Sequence, residues 1–262
     1  MKPILFNTEM VKAILDGRKT VTRRVVKFRD GKNPNWTGYV KDGLILYNGN
    51  NEPCNMSAPF EGNDILYVRE TWSDHYEPNE EGKPELQYCY KADGIDVKAE
   101  CLPGENNRWY PSIHMPKEVA RIFLKVTSVR MERLRDITEE QAKAEGVIHL
   151  FDHIPDAEYT NWAKKTGQYP KRKEEWGYKN YLWHGNFGAY GGGNWKSDLW
   201  DYQYSAYDTA VDSFSSLWQS TLQKDQLQYY GWDANPYVWV IEFEVINKAT
   251  AMTNDMEKGG VE

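Results

Sequence analysis

The densest group of polar side chains in this chain is Gly17-Arg18-Lys19-Thr20-Val21-Thr22-Arg23-Arg24. It places an ammonium, two hydroxyls and three guanidiniums within one short segment. In an extended strand Thr20, Thr22 and Arg24 share a face, because strand side chains alternate. Lys19 falls on the opposite face unless the turn after Gly17 takes it in. If the turn does so, an ammonium and a hydroxyl meet in one pocket. Lysine becomes a base when burial and neighbouring cations favour its neutral form, and Arg18, Arg23 and Arg24 supply cations. A helix C-terminus just before Lys19 acts in the other sense and favours the charged form. The same residues have a purely structural reading: cations complement a helix dipole, and threonines suit a strand.

Glu145 is the second candidate. It precedes Gly146, at the expected end of a short helix, where a carboxylate meets the negative end of the helix dipole. Such a carboxylate suits general acid or base work, although a solvated glutamate fits the same position. Arg69 and Glu70 follow an apolar strand. Adjacent strand residues point to opposite faces, so one of the two is expected inside, where a charge needs a partner or a ligand. His149 and His153 are four apart, but Pro155 is close and no cysteine or carboxylate completes a zinc set. No GxSxG elbow, GxGxxG loop or Walker lysine motif occurs, so neither a nucleophile elbow nor a phosphate cradle is expected.

These residues need elements to hold them. Pro3 to Phe6 reads as a strand. Met10, Val11, Ile14 and Leu15 repeat at helical spacing, with Asn7 or Thr8 as cap and Gly17 as a left-handed stop. Thr20 to Phe28 reads as a strand, Asp30 to Pro59 as hairpins and loops, and Ile65 to Val68 as a buried strand. Leu86 to Lys91 is a further strand, and Arg121 to Leu134 alternates as a long one. Thr138 and Gln141 form a capping box for a helix that Gly146 closes. Thr209 to Leu222 is an amphipathic helix, and Tyr237 to Ile246 is the closing strand. Residues 151–205 are rich in aromatics and glycine and read as an insertion. The polar stretch 248–262 reads as a frayed tail. The expected fold class is α+β, mainly β: a small barrel with flanking short helices, in one domain over residues 1–247.

Composition bounds the function. The chain has 262 residues, 40% apolar and 27% charged, enough for one sizeable core. The longest apolar run, Tyr237 to Phe243, is too short to cross a bilayer, so no membrane role is expected. No apolar stretch follows the basic start, so a secretory leader is not expected either. Cys54, Cys89 and Cys101 form no CxxC pair, which disfavours a disulfide scaffold and fits a cytoplasmic protein. A net charge of -7 disfavours a long duplex as obligate partner but leaves room for a nucleoside or a single strand. Eleven Trp and eighteen Tyr either fill a core or build stacking surfaces.

Gly17-x-Lys19-x-x-Thr22-x-Arg24 resembles the signature of the ASCH superfamily, whose fold is the PUA-like β-barrel. Further segments resemble its phage and prophage branch. They are Lys2 to Phe6, Gly62 to Trp72, Pro111 to Pro116, Ile137 to Glu140 with Glu145-Gly146, and Asn235 to Phe243. One bacterial group of that superfamily removes the acetyl group from N4-acetylcytidine. This chain resembles that group in Gly17-Arg18-Lys19-Thr20-x-Thr22-x-Arg24 and in Thr138-Glu139 followed by Glu145. The resemblance implies Thr22 as nucleophile or water-orienting group, Lys19 as its base and Glu145 as proton shuttle. Arg24, Arg69, Glu70 and Trp72 are the expected substrate-binding residues, with no metal and no cofactor. The chain is more than twice as long as those hydrolases, so its substrate is open. A non-catalytic module binding single-stranded RNA or a modified nucleotide is the alternative the superfamily offers.

Overall fold

A computed structural model describes residues 1–27, 39–41, 45–47, 53, 58–94, 108–149, 177–182 and 206–259. Its elements follow in chain order. They are β1 (Lys2–Leu5), α1 (Thr8–Leu15), β2 (Val21–Val25), β3 (Tyr39–Lys41), β4 (Ile45–Tyr47), β5 (Ile65–Arg69), β6 (Trp72–Pro78) and β7 (Pro84–Tyr90). Then come β8 (Phe123–Arg133), α2 (Glu139–Ala144), α3 (Ala210–Ser220), α4 (Leu227–Tyr230), β9 (Tyr237–Ile246) and α5 (Lys248–Gly259). The chain is α+β, with a mixed sheet and few helices. It divides into two compact units, each discontinuous in sequence.

The first unit holds Met1–Thr20, Ala58–Val129 and Ile241–Glu262. Its strands lie in the order β1-β5-β8-β9. β1 runs parallel to β5, with Lys2 opposite Leu66, and β5 runs antiparallel to β8, with Ile65 opposite Lys125. α1 forms because the Asn7 side chain accepts from the Met10 amide at 2.9 Å, and Met10, Val11, Ala13 and Ile14 bury one stripe. β6 and β7 make a separate antiparallel hairpin in which Trp72 faces Tyr90. Ile65, Tyr67, Trp72, Met115, Val119, Phe123 and Ala251 form one buried cluster.

The second unit holds Val21–Ser57 and Arg130–Val240. It contains β2 beside the start of β9, the small β3–β4 pair, and helices α2 to α4. The Val26 amide donates to the Tyr237 carbonyl at 3.0 Å, and the Leu134 amide to the Pro236 carbonyl at 2.9 Å. The β9 residues Tyr237 to Val240 are all buried, which suits a strand covered on both faces. α3 buries Phe214, Leu217 and Trp218, and the Trp218 indole N–H donates to the Tyr230 carbonyl at 2.7 Å.

The expected strands and helices recur with ends shifted by a few residues, such as β8 at Phe123–Arg133 where Arg121 to Leu134 is read from the sequence. Among the described residues the strands do not close into a barrel. The expected frayed tail is instead helix α5. Ala251 is fully buried in the first unit's core, and Asp255 pairs with the Met1 amine and with Lys117 Nζ at 3.4 Å. Two tertiary anchors thus hold a segment whose composition alone reads as polar. The expected insertion at 151–205 lies outside the described residues except for 177–182, where Tyr178 and Tyr207 exchange backbone hydrogen bonds.

Candidate functional site

The turn after α1 settles the question of Lys19. Gly17 takes a left-handed φ of 72°, and the amides of Arg18 and Lys19 both donate to the Ala13 carbonyl at 2.9 Å. The chain therefore wraps the helix end before the next strand begins, and Lys19 is drawn inward with it. Lys19 is only 1% exposed, one of the largest fully buried side chains. Its ammonium sits 5.7 Å from the centre of the Phe6 ring, a cation–π contact. Phe6 in turn lies 6.3 Å from Phe243, so the ring beneath the ammonium is itself packed. Lys19 and this aromatic support belong to the first unit.

Thr22, Arg23, Arg24 and Glu145 belong to the second unit. Thr22 and Arg24 share a face of β2 as alternation requires, and Arg24 Nη1 donates to Thr22 Oγ1 at 3.0 Å. The same nitrogen donates to the Arg23 carbonyl at 3.2 Å. Burial holds the Arg24 guanidinium below its ordinary range, and the nearby Glu145 carboxylate works against that shift. Thr22 thus has its oxygen held by a partly desolvated cation.

Glu145 is the C-cap of α2 and is 3% exposed. The capping box read from the sequence is present, with Thr138 and Gln141 bonded reciprocally, and Gly146 follows the helix with φ 89°. Arg23 Nη1 donates to Glu145 Oε1 at 3.1 Å, and its Nη2 donates to Gln141 Oε1 at 2.9 Å. Glu132 lies 3.5 Å from that second nitrogen. The negative end of a short helix therefore does not act on Glu145 alone; a guanidinium is bonded to it.

Arg69, Glu70 and Trp72 lie in the first unit and are engaged by its framework. Glu70 is the inward member of its pair, 1% exposed. Both its oxygens accept from Arg121, Nε to Oε1 at 2.9 Å and Nη2 to Oε2 at 3.1 Å. Arg121 also makes two bonds of 2.8 Å to Asp93 and stacks on Tyr90 at 3.9 Å. Burial pushes the Glu70 carboxyl above its ordinary value even against these bonds. Burial likewise pushes the Tyr90 hydroxyl up to about 12. Arg69 Nη1 donates to the Ile113 carbonyl at 3.3 Å, and Trp72 packs against Tyr110 at 4.9 Å. In this state these three side chains serve their own unit's packing.

The structure thus brings Thr22, Arg24 and Glu145 into one unit and adds residues that sequence reasoning did not select. Glu132 carries no motif of its own, and Gln141 is marked in the sequence only by its capping box. Arg23 counts in the sequence only as one cation among three. Its burial follows from a strand whose first residues, Val21, Thr22 and Arg23, are all buried, so both strand faces are covered. His149 packs edge-on against Tyr178 at 4.9 Å, and His153, Cys54 and Cys101 lie outside the described residues. Cys89 is buried, and its thiol donates to the Ser73 carbonyl at 3.7 Å. Among the described residues no cluster of three or more His, Cys, Asp or Glu side chains could hold a metal ion. Compared with protein-family models, curated proteins and solved structures, the chain matches none.

Proposed function

We propose that this chain is an amidohydrolase that removes an acyl group from the exocyclic amine of a cytosine nucleoside, on a PUA-like framework of the ASCH type. The observation that carries the reading is the partly buried Thr22–Arg24 hydrogen bond, made to a fully buried hydroxyl, in the unit that also holds Glu145. A hydroxyl is a weak nucleophile, and a cation donating to its oxygen stabilises the alkoxide character that develops during attack. Burial strengthens that effect, since the guanidinium acts in a low dielectric.

In this reading Thr22 Oγ1 attacks the acyl carbon and gives its hydroxyl proton to a base, the role that the resemblance assigns to Lys19. The C–N bond breaks, and Glu145 delivers a proton to the departing nitrogen. Water then cleaves the threonine ester: its hydroxyl goes to the acyl carbon, its remaining proton returns to Glu145, and the protonated base returns its proton to the Thr22 oxygen, releasing the acid and restoring the hydroxyl. The net reaction consumes one water and yields a carboxylic acid and the free amine. Cytosine aids departure because its ring withdraws electrons from the exocyclic nitrogen. Arg24 acts at the nucleophile's oxygen, where its hydrogen bond already lies. No cofactor enters these steps.

The test is deacylation of N4-acylated cytosine nucleosides, followed by ultraviolet absorbance with a chelator present. Wild type is expected to turn over, and Lys19→Ala, Thr22→Ala and Glu145→Ala to lose turnover. Inactivity of the wild type on several acylated nucleosides, together with salt-sensitive binding of single-stranded RNA, would replace this reading with the non-catalytic module.

A further inference from the structure

We infer that Arg23 is a positioning residue: its guanidinium clamps α2 to β2 and so sets where the Glu145 carboxylate stands. α2 has six residues, too few to hold a helix by its own hydrogen bonds. Its orientation must come from tertiary contacts, and Arg23 touches both of its ends. Nη1 bonds Glu145 at the C-cap, 3.1 Å away. Nη2 bonds Gln141 Oε1 at 2.9 Å, and the same oxygen accepts the N-cap Thr138 amide at 3.2 Å. One guanidinium therefore reaches the capping box and the last residue of the helix together.

The clamp is closed from the far side. Glu139, the first residue of α2, accepts the Ala210 and Val211 amides at 2.9 and 3.2 Å, so it caps α3. α3 returns Phe214, whose ring centre lies 5.8 Å from the Arg23 guanidinium carbon. Strand, short helix, long helix and guanidinium form a ring of contacts. The Arg23 side chain is 0% exposed, so the guanidinium at the centre of the ring is shielded from water. A fork with two separate donors is required, because Glu145 and Gln141 are reached by different nitrogens. Lysine, a point charge on a flexible stem, cannot bond both in this geometry.

The inference rests on the proposed role of Glu145 for its catalytic readout, and a second readout is independent of it. The first compares wild type with Arg23→Lys and Arg23→Gly in the deacylation assay. Arg23→Lys is expected to lower kcat about 100-fold with KM little changed, the cost of a misplaced proton donor. Added guanidinium, but not ammonium, should restore part of the activity of Arg23→Gly. The second readout is amide hydrogen exchange of the full chain. In Arg23→Lys, residues 139–146 and the Ala210 and Val211 amides should exchange faster while β5 and β8 amides at 65–69 and 123–129 stay as in wild type. Wild-type exchange at α2 in Arg23→Lys, or a loss carried by KM alone, overturns the clamp. If the wild type deacylates nothing, the enzymatic reading falls, and exchange at α2 alone decides the clamp.

Discussion

Thr22 and Arg24, two residues apart on one strand, are joined side chain to side chain, with Arg24 Nη1 donating to Thr22 Oγ1 at 3.0 Å. The resemblance read from the sequence has Arg24 as a substrate-binding residue. Its hydrogen bond instead points at the atom that would attack. A guanidinium that is already partly desolvated has less water to lose when charge builds on that oxygen, so its stabilising effect needs less reorganisation. The hydroxyl proton is left to donate to an acceptor.

Substitutions at the pair separate nucleophile from activator. Thr22→Val keeps the shape and removes the hydroxyl, and deacylation should vanish. Thr22→Ser keeps the hydroxyl and should retain most of the rate. Arg24→Lys keeps a cation but sets it on a shorter stem, which draws the donor back from Thr22 and the Arg23 carbonyl that Nη1 serves, and kcat should fall about 10²- to 10³-fold. Steady-state kinetics on an N4-acylated cytosine nucleoside measures all three. Turnover by Thr22→Val at the wild-type rate would remove the hydroxyl from the mechanism.

Lys19 poses a different question, because it is fully buried with its ammonium over the Phe6 ring. Lys19→Arg distinguishes a base from a fixed charge. Arginine retains the positive charge but does not give up its proton in a protein. If Lys19 accepts the Thr22 proton, Lys19→Arg should be as inactive as Lys19→Ala. Activity surviving in Lys19→Arg would assign it an electrostatic role only. Near-ultraviolet circular dichroism of both variants shows whether the buried site tolerates the change.

Local chemistry was legible in the sequence, and long-range pairing was not. The Thr138–Gln141 capping box and the left-handed glycines at 17 and 146 follow from a few neighbouring residues, and they occur as read. The Thr22–Arg24 contact is likewise local, since strand alternation brings the two side chains together. Arg121 is 51 residues from Glu70, and Arg23 is 122 from Glu145. Nothing in a periodic pattern marks one arginine among many as the buried one. Helix α5 was missed for the same reason: its anchors, the Ala251 core position and the ion pairs of Asp255, exist only once distant segments have met.

The turn that carries Lys19 inward depends on Gly17. A Cβ at Gly17 would meet nothing within 4 Å, so the only cost of a side chain is the φ of 72°. Gly17→Ala should therefore destabilise by about 1 kcal/mol and Gly17→Asn by less, since asparagine tolerates that region. Thr138→Ala should cost about 1 kcal/mol through the lost N-cap. Urea denaturation midpoints give each value. A neutral Gly17→Ala would mean that the turn takes another conformation in solution.

The Glu70–Arg121 pair predicts how stability responds to pH. Burial raises the Glu70 carboxyl above its ordinary value near 4.5, the Arg121 bonds opposing. A carboxyl with a raised folded value binds more protons in the native than in the unfolded state between those two values. Its contribution to unfolding free energy therefore rises as pH falls through the folded value, and levels off below the unfolded one. Glu70→Gln should remove that contribution, so the difference between its stability curve and wild type should slope in this window and flatten on either side. Arg121→Met leaves the buried carboxylate without its cation. At neutral pH this should cost about 3 kcal/mol, as breaking a buried pair does. The cost should shrink toward acid, because a protonated Glu70 no longer needs a counter-charge. Urea melts of wild type and both variants across this range test the sign. A cost for Arg121→Met that stays constant as the pH is lowered would show that Arg121 acts through packing on Tyr90 and not through the Glu70 charge.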